Sequence, residues 1–464
     1  MKKLLLSFSI LFSCLSASAQ HEADKWFFGS GAALDFSSGS PVVISSPMYT
    51  SEGCSGVSDA SGKLRFFTNG VDVYDSTKTI MPNGSGLMGD ISSTQSALVV
   101  PNPANSQQYF IFTTAADGGG DFRYSVVDMS LHGSLGDVMV ATKNTFLNDS
   151  STEKIAAIKD PANGYWIVTH IWGNNAFYSY HLTASGFSTT PVMSYVGTVH
   201  NTTAIQNTYG QMKFNMCGDK LALAIGYQNK VEVFDFDQNT GVVSSPISIA
   251  MPDHVYGVEF SKNSNLLYVS CYDVSGTLVQ FDISSGSLPL ITASRTPLSV
   301  TSDLYGLQMG PDGKIYVSES FSSSYLGVIS SPNIAGSGCS YSDTGVNLDP
   351  GFAGVNGALD MPCFMQSYLK AATGAICLTT DVVENSDPEL NPVYPNPSSD
   401  EFTFQTNQNE KAVISIYDYT GKLIEVFNSS SPITIHFGKE YAPGVYFLTY
   451  NNGVKIKTVK AVKM

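Results

Sequence analysis

Phe260-Ser261-Lys262-Asn263-Ser264-Asn265-Leu266-Leu267-Tyr268-Val269-Ser270 and Met309-Gly310-Pro311-Asp312-Gly313-Lys314-Ile315-Tyr316-Val317-Ser318 decide the fold, because they are two copies of one pattern. Each carries a large apolar residue, a tight polar turn and a run rich in β-formers. Each is then followed by a further strand-like run, Leu278-Val279-Gln280-Phe281-Asp282 after the first and Leu326-Gly327-Val328-Ile329 after the second. Asp, Asn and Gly occupy the turn because they tolerate the positive φ of a short hairpin.

The pattern recurs outward from this pair. Upstream copies are Phe214-Asn215-Met216-Cys217-Gly218-Asp219-Lys220-Leu221, Asp160-Pro161-Ala162-Asn163-Gly164-Tyr165-Trp166 and Asp59-Ala60-Ser61-Gly62-Lys63-Leu64, with a looser copy from Val100 through Thr113. Phe214 to Phe260 spans 46 residues and Phe260 to Met309 spans 49. All-strand periods of about 40 to 50 residues belong to propellers, where a small four-stranded sheet buries its faces only by stacking on its neighbours. Six copies start near 57, 100, 159, 214, 260 and 309. A seventh closes if residues 26–28 and 34–36 share a blade with a strand over 364–369, which also removes exposed sheet edges. The expected fold is therefore all-β, a seven-bladed β-propeller over 20–370. A pair of β-sandwiches, the competing architecture, predicts no regular spacing.

Both ends of the chain read as addresses. Met1-Lys2-Lys3, the apolar run 4–15 and Ala17-Ser18-Ala19 have the layout of a secretory signal peptide over 1–19, with cleavage between Ala19 and Gln20. About twelve apolar residues are too few to span a bilayer, and no other run approaches that length, so no transmembrane segment is expected. Leu11-Phe12-Ser13-Cys14 loosely resembles a lipobox, but Phe12 is bulky where that motif wants a smaller residue. At the far end, 371–391 is an acidic, proline-bearing linker. Beyond it, strand-like runs alternate with turns, as a small antiparallel sandwich would.

The residues Tyr394-Pro395-Asn396-Pro397, Asp418-x-x-Gly421-Lys422, Gly444-Val445-Tyr446 and the lysines of the last strand carry a resemblance. In that order, 392–464 resembles the type A carboxyl-terminal sorting domain of type IX secretion. The resemblance implies an immunoglobulin-like antiparallel sandwich and a partner in the type IX secretion machinery. It also implies removal of the domain after export, with the protein released or attached to surface lipopolysaccharide. Trp26-Phe27-Phe28-Gly29, Glu52-Gly53-Cys54, Ser58-Asp59-Ala60-Ser61-Gly62, Met81-Pro82-Asn83-Gly84 and Ser93-Thr94-Gln95-Ser96-Ala97 are similar to propeller-like ectodomains joined to such tails, of WD40/YVTN-like architecture. That second resemblance implies a fold and no mechanism.

Composition narrows the functional classes. Hydrophobic residues at 43% allow a large core, and Lys+Arg 24 against Asp+Glu 39 leaves a net charge of −15, which opposes a nucleic-acid partner because that needs a basic surface. Loss of Lys2 and Lys3 with the signal peptide takes the charge to −17. Six cysteines then remain; Cys339, Cys363 and Cys377 are close enough in sequence for one local disulfide, with buried free thiols the equal alternative.

Motifs for catalysis are sparse. His170, near Trp172, is the histidine best placed for a channel mouth. Asp59, Asp160, Asp219 and Asp312 fall one per repeat, which suits turns better than a shared calcium. Glu52, Asp72, Asp75 and Asp90 are dense enough for a carboxylate pair of the glycosidase kind, although a solvated surface is the simpler account. No residue is assigned as catalytic, metal-binding or cofactor-binding, and no cofactor is expected. The sequence points first to a secreted or surface-attached binding protein, with a surface glycan or another protein as ligand. An extracellular hydrolase or lyase acting on polysaccharide or peptide is the alternative, and a structural surface or gliding-adhesion component the third.

Overall fold

The computed structural model describes residues 21–272, 277–299, 303–321, 323–351, 354–373, 393–406, 412–418, 422–429, 433–451 and 456–464. The signal-peptide junction Ala19/Gln20, Cys377, most of the linker and Gly421 lie outside the described residues. The chain divides into two compact units, Met1–Cys377 and Leu378–Met464. No described helix is long and apolar enough to cross a membrane.

Antiparallel sheets build the first unit, with two short helices, Leu288–Ala293 and Gln366–Thr373. Three four-stranded sheets follow the sequence in strict up-and-down order: Met212–Phe214 to Val242–Ala250, His254–Phe260 to Thr296–Ser299, and Leu307–Met309 to Tyr341–Asn347. Their hairpins are the copies read in the sequence. Burial is graded across each sheet. All seven residues of the second strand Leu266–Tyr272 are buried, whereas the outer strand Val242–Ala250 is largely open. Inner strands covered on both faces must be apolar throughout; outer ones need only one apolar face.

Two copies do not form separate sheets. The fifteen-residue strand Thr145–Lys159 pairs through its first half with Gly120–Asp128 and through its second half with Tyr165–Ile171. The repeats starting near 100 and 159 thereby share one nine-stranded sheet. The first strands of successive sheets pack on one another in chain order, from Lys25–Phe28 and Cys54–Ser58 round to Leu307–Met309. The arrangement is propeller-like.

The ends of this unit meet, though not as the sequence suggests. Residues 364–369, expected as a closing strand, lead into the helix Gln366–Thr373. Met365, Tyr368 and Leu369 are buried, the three- and four-residue spacing of one helix face. Shorter pieces bring the ends together instead. Pro362–Cys363 adds in parallel to Cys54–Ser55, and Ser30 N–H donates to Asn356 O at 3.0 Å. Gly29 permits that approach, since it has φ +57° and a Cβ there would lie 2.3 Å from Asn356 O. Trp26, fully buried, packs on Phe36, Tyr316 and Phe364 with ring centroids 4.9, 5.4 and 5.9 Å away.

In the second unit, Phe402–Thr406 pairs with Ile433–Phe437, and Leu423–Ser429, Ala412–Asp418, Gly444–Asn451 and Ile456–Lys463 form a four-stranded sheet. Alternate residues from both sheets, among them Phe402, Phe404, Ile414, Ile416, Phe437 and Leu448, make one apolar core.

Cysteine chemistry departs from a local bridge. Cys54, Cys271, Cys339 and Cys363 are buried free thiols, and Cys217 is disulfide-bonded.

Candidate functional site

Residues just before or at the starts of several first strands bond one another, Gly210 to Thr94, Gln211 to Tyr256 and Tyr256 to Glu52 among them, and this cluster is called the mouth below. Three of the starts share a Tyr-Gly pair: Tyr209-Gly210, Tyr256-Gly257 and Tyr305-Gly306. Glycine is needed because the backbones converge there. A Cβ on Gly257 would lie 2.3 Å from Tyr305 O, and one on Gly306 2.1 Å from Asp360 Oδ1.

Below the mouth the space between first strands is filled by polar side chains. Strands of different sheets share no ladder, so their inward N–H groups need other partners. Gln95 Oε1 accepts from Met212 N–H (2.8 Å) and Ile155 N–H (3.2 Å). Gln211 Oε1 accepts from Leu307 N–H (3.1 Å) and Val258 N–H (3.2 Å), while its Nε2 donates to Asp360 Oδ1 (2.6 Å). One layer deeper, Lys213 Nζ lies 3.1 Å from Glu259 Oε2, donates to Gln308 Oε1 at 2.7 Å and also bonds Leu307 O. Gln366 Nε2 donates to Glu259 Oε1 at 3.1 Å. A cavity lined by Gln95, Lys213, Gln308, Cys363 and Gln366 among others has room for about one water molecule.

At the mouth itself three carboxylates gather. Glu52, 8% exposed, accepts from the Tyr256 hydroxyl at 2.6 Å. Glu153 accepts from Thr94 N–H (2.8 Å), Thr94 Oγ1 (2.9 Å) and Asp117 N–H (3.0 Å). Asp360 is fully buried, and its Oδ2 has no hydrogen-bond partner. Burial pushes all three above the usual carboxylate range, Asp360 to about 7, and the charges of Glu153 and Asp360 add to the rise at Glu52. Lys154, buried with its ammonium on Thr208 O (2.6 Å) and Tyr209 O (2.7 Å), is lowered by burial to about 7.

Aromatic rings border these groups. Tyr256, Tyr272 and Tyr305 touch one another at 5.3 to 6.2 Å between centroids, and His254 lies 5.6 Å from Tyr272 and stacks on Tyr227 at 3.8 Å. Tyr227 is 40% exposed, and Tyr49, three residues before Glu52 in sequence, is 55% exposed.

Of the carboxylates singled out in the sequence, Glu52 alone reaches this cluster. Asp75 closes the 75–79 turn by accepting from Thr77 N–H (2.7 Å), Asp90 accepts from Ser92 N–H (2.8 Å), and Asp72 sits in the strand Asp72–Asp75. The four repeat aspartates also serve hairpins. Asp59 accepts from Ser61 N–H (2.9 Å), Asp160 from Gly164 N–H (2.6 Å), Asp219 from Asn215 Nδ2 (2.7 Å) and Asp312 from the Tyr316 hydroxyl (2.9 Å). His170 does not line the mouth: it is buried, stacked on His200 at 3.6 Å and edge-on to Phe177 at 4.7 Å. Burial lowers it to about 3, and holds His200 well below the usual histidine range.

Motif residues of the second unit hold its termini together. Asn396 Nδ2 donates to Lys460 O (2.7 Å) and its Oδ1 accepts from Val462 N–H (2.8 Å), which ties the segment after Tyr394 and Pro395 to the last strand. Past Pro397, Ser398 N–H donates to Val462 O at 2.9 Å. Asp418 N–H donates to Lys422 O at 3.0 Å across their turn, and Lys422 N–H donates to Asp418 Oδ1 at 3.0 Å. Tyr446, two residues after Gly444, donates its hydroxyl to Ala442 O at 2.9 Å.

Residues 392–464 match the secretion system C-terminal sorting domain family, so the protein is exported by the type IX route and is secreted or attached at the cell surface. Among solved structures the chain is similar to a candidate 6-phosphogluconolactonase from Bacteroides fragilis, at 11% identity and TM-score 0.45, covering 73% of this chain and 97% of that one. It is also similar to the Cps50 (Swd1) β-propeller domain of Myceliophteria thermophila, at 10% identity and TM-score 0.41, covering 64% and 94%. No curated protein matches the chain.

Proposed function

We propose that this is an exported seven-bladed β-propeller that binds an extracellular ligand at its mouth, without catalysis of its own, and that an immunoglobulin-like tail sandwich serves its export. Seven blades follow if the nine-stranded sheet counts as two and the three-stranded sheet around residues 25–49 as one. The observation that carries the binding reading is the state of the interior. Gln95, Gln211, Lys213 and Glu259 spend their polar atoms on neighbouring strands, and the cavity beside them has room for about one water. The aromatic rings and Glu52 at the mouth are what a ligand could touch, and function on such folds resides in these end loops. The test is an array of surface glycans and proteins probed with the mature chain and with a Tyr227→Ser variant. A partner lost in the variant supports the reading; a blank array overturns it.

A hydrolase reading has one observation in its favour: Glu52, Glu153 and Asp360 lie together with raised proton affinity, a mark of acid–base sites. It predicts polysaccharide or peptide cleavage that disappears in Glu52→Gln.

A further inference from the structure

Charge at the mouth is out of balance. Among the described buried groups there and just below are four carboxylates, Glu52, Glu153, Glu259 and Asp360, and two ammoniums, Lys154 and Lys213. Lys213 belongs to Glu259, and Lys154 is committed to the carbonyls of Thr208 and Tyr209. With Lys154 also beside Glu153, neither ammonium bonds Glu52 or Asp360, although the charge of Lys213 is felt at Asp360; the Oδ2 of Asp360, fully buried, has no partner. Uncompensated buried charge is costly, so a cation arriving at Glu52 is favoured by more than its contacts alone. The ring of Tyr305, half-buried beside the buried Tyr256 and Tyr272, is of the kind that attracts organic cations.

We propose that the mouth takes a lysine or arginine side chain from a polypeptide partner, its cationic head on Glu52 and its stem against the Tyr305 ring. This rests on the reading of the mouth as the binding face. A side chain fits better than a sugar-borne amine because Glu52 is recessed, only 8% exposed. A long unbranched stem reaches such a carboxylate and buries its methylenes on the way; an amine fixed to a pyranose ring has no stem.

Calorimetric titration of the mature chain with tetralysine, the glucosamine tetramer and cellotetraose tests it, with Glu52→Gln, Tyr305→Leu and, as a remote control, Asp343→Asn. The expected result is tetralysine binding that weakens about tenfold or more in Glu52→Gln and is unchanged in Asp343→Asn. Equal loss in Glu52→Gln and Asp343→Asn would mean diffuse attraction to an acidic protein and overturn the proposal, as would tighter binding of the glucosamine tetramer. Cellotetraose binding that Tyr305→Leu abolishes, with none for tetralysine, overturns the cation and keeps the mouth. No binding by any probe, together with a blank array, overturns both. Thermal unfolding verifies that each variant is folded, and Glu52→Asp replaces Glu52→Gln if it is not.

Discussion

Replacing Lys213 with methionine tests whether the polar interior holds the first strands together. Lys213 and Glu259 are 5% and 2% exposed, so the variant leaves a buried carboxylate without its cation. Breaking a buried pair costs about 3–5 kcal/mol. The low end applies, because Glu259 keeps three donors: Phe260 N–H (3.0 Å), Met309 N–H (3.0 Å) and Gln366 Nε2 (3.1 Å). About 3 kcal/mol should appear as a melting point lowered by roughly 5 °C in a chain of this size, followed by the fluorescence of buried Trp26 and Trp166. The Lys213→Met/Glu259→Gln double variant should recover at least half of that loss, since the amide removes the stranded charge and keeps its hydrogen-bonding shape. A single variant within about 0.5 kcal/mol of the parent, or no coupling between the two sites, would refute the reasoning.

Stability should also depend on pH in two opposed ways. His170 and His200 have folded-state values below the usual 6.5, so the unfolded chain takes up protons first and stability falls as pH drops below about 6.5; His200→Phe should flatten that acid limb in melting curves. Asp360 is raised to about 7, so its contribution is present at low pH and is lost as pH rises through about 7; Asp360→Asn should be relatively more stable at pH 8 than at pH 5. Gly29→Ala should destabilise by about 2 kcal/mol or more, since both φ and the approach to Asn356 O forbid a side chain. In alkylation followed by mass spectrometry, Cys54, Cys271, Cys339 and Cys363 should be modified only after unfolding, and Cys217 only after reduction. Deleting 392–464 should leave the protein in the periplasm; normal export of the truncated chain would contradict the role of that domain.

Local chemistry was legible in the sequence. Asp59 and Asp160 announce their hairpins because an aspartate that accepts from the turn's own N–H groups needs only its neighbours in sequence. The tail motif is legible for the same reason. What the sequence hid depends on distant segments meeting. Gln95, Gln211 and Asp360 look like ordinary polar residues until strands more than a hundred positions apart are side by side. The Tyr-Gly pair at 209, 256 and 305, each a few residues before a Phe or Met, was a visible signal of the mouth. Lys213, Glu259 and Gln308 each stand just before that Phe or Met, a second signal. The closing strand was misplaced because Pro362–Cys363 is too short to show a pattern, while aromatic-rich 364–369 imitates a strand and folds as a helix with one face buried.

The most direct measurement is a crystal structure of the mature protein at a resolution that fixes amide orientations. The account predicts first strands converging on one interior, with the Gln95 and Gln211 amide oxygens on the N–H groups of Met212 and Leu307 and Lys213 seated on Glu259. An open, water-filled passage with those side chains turned to solvent would contradict it.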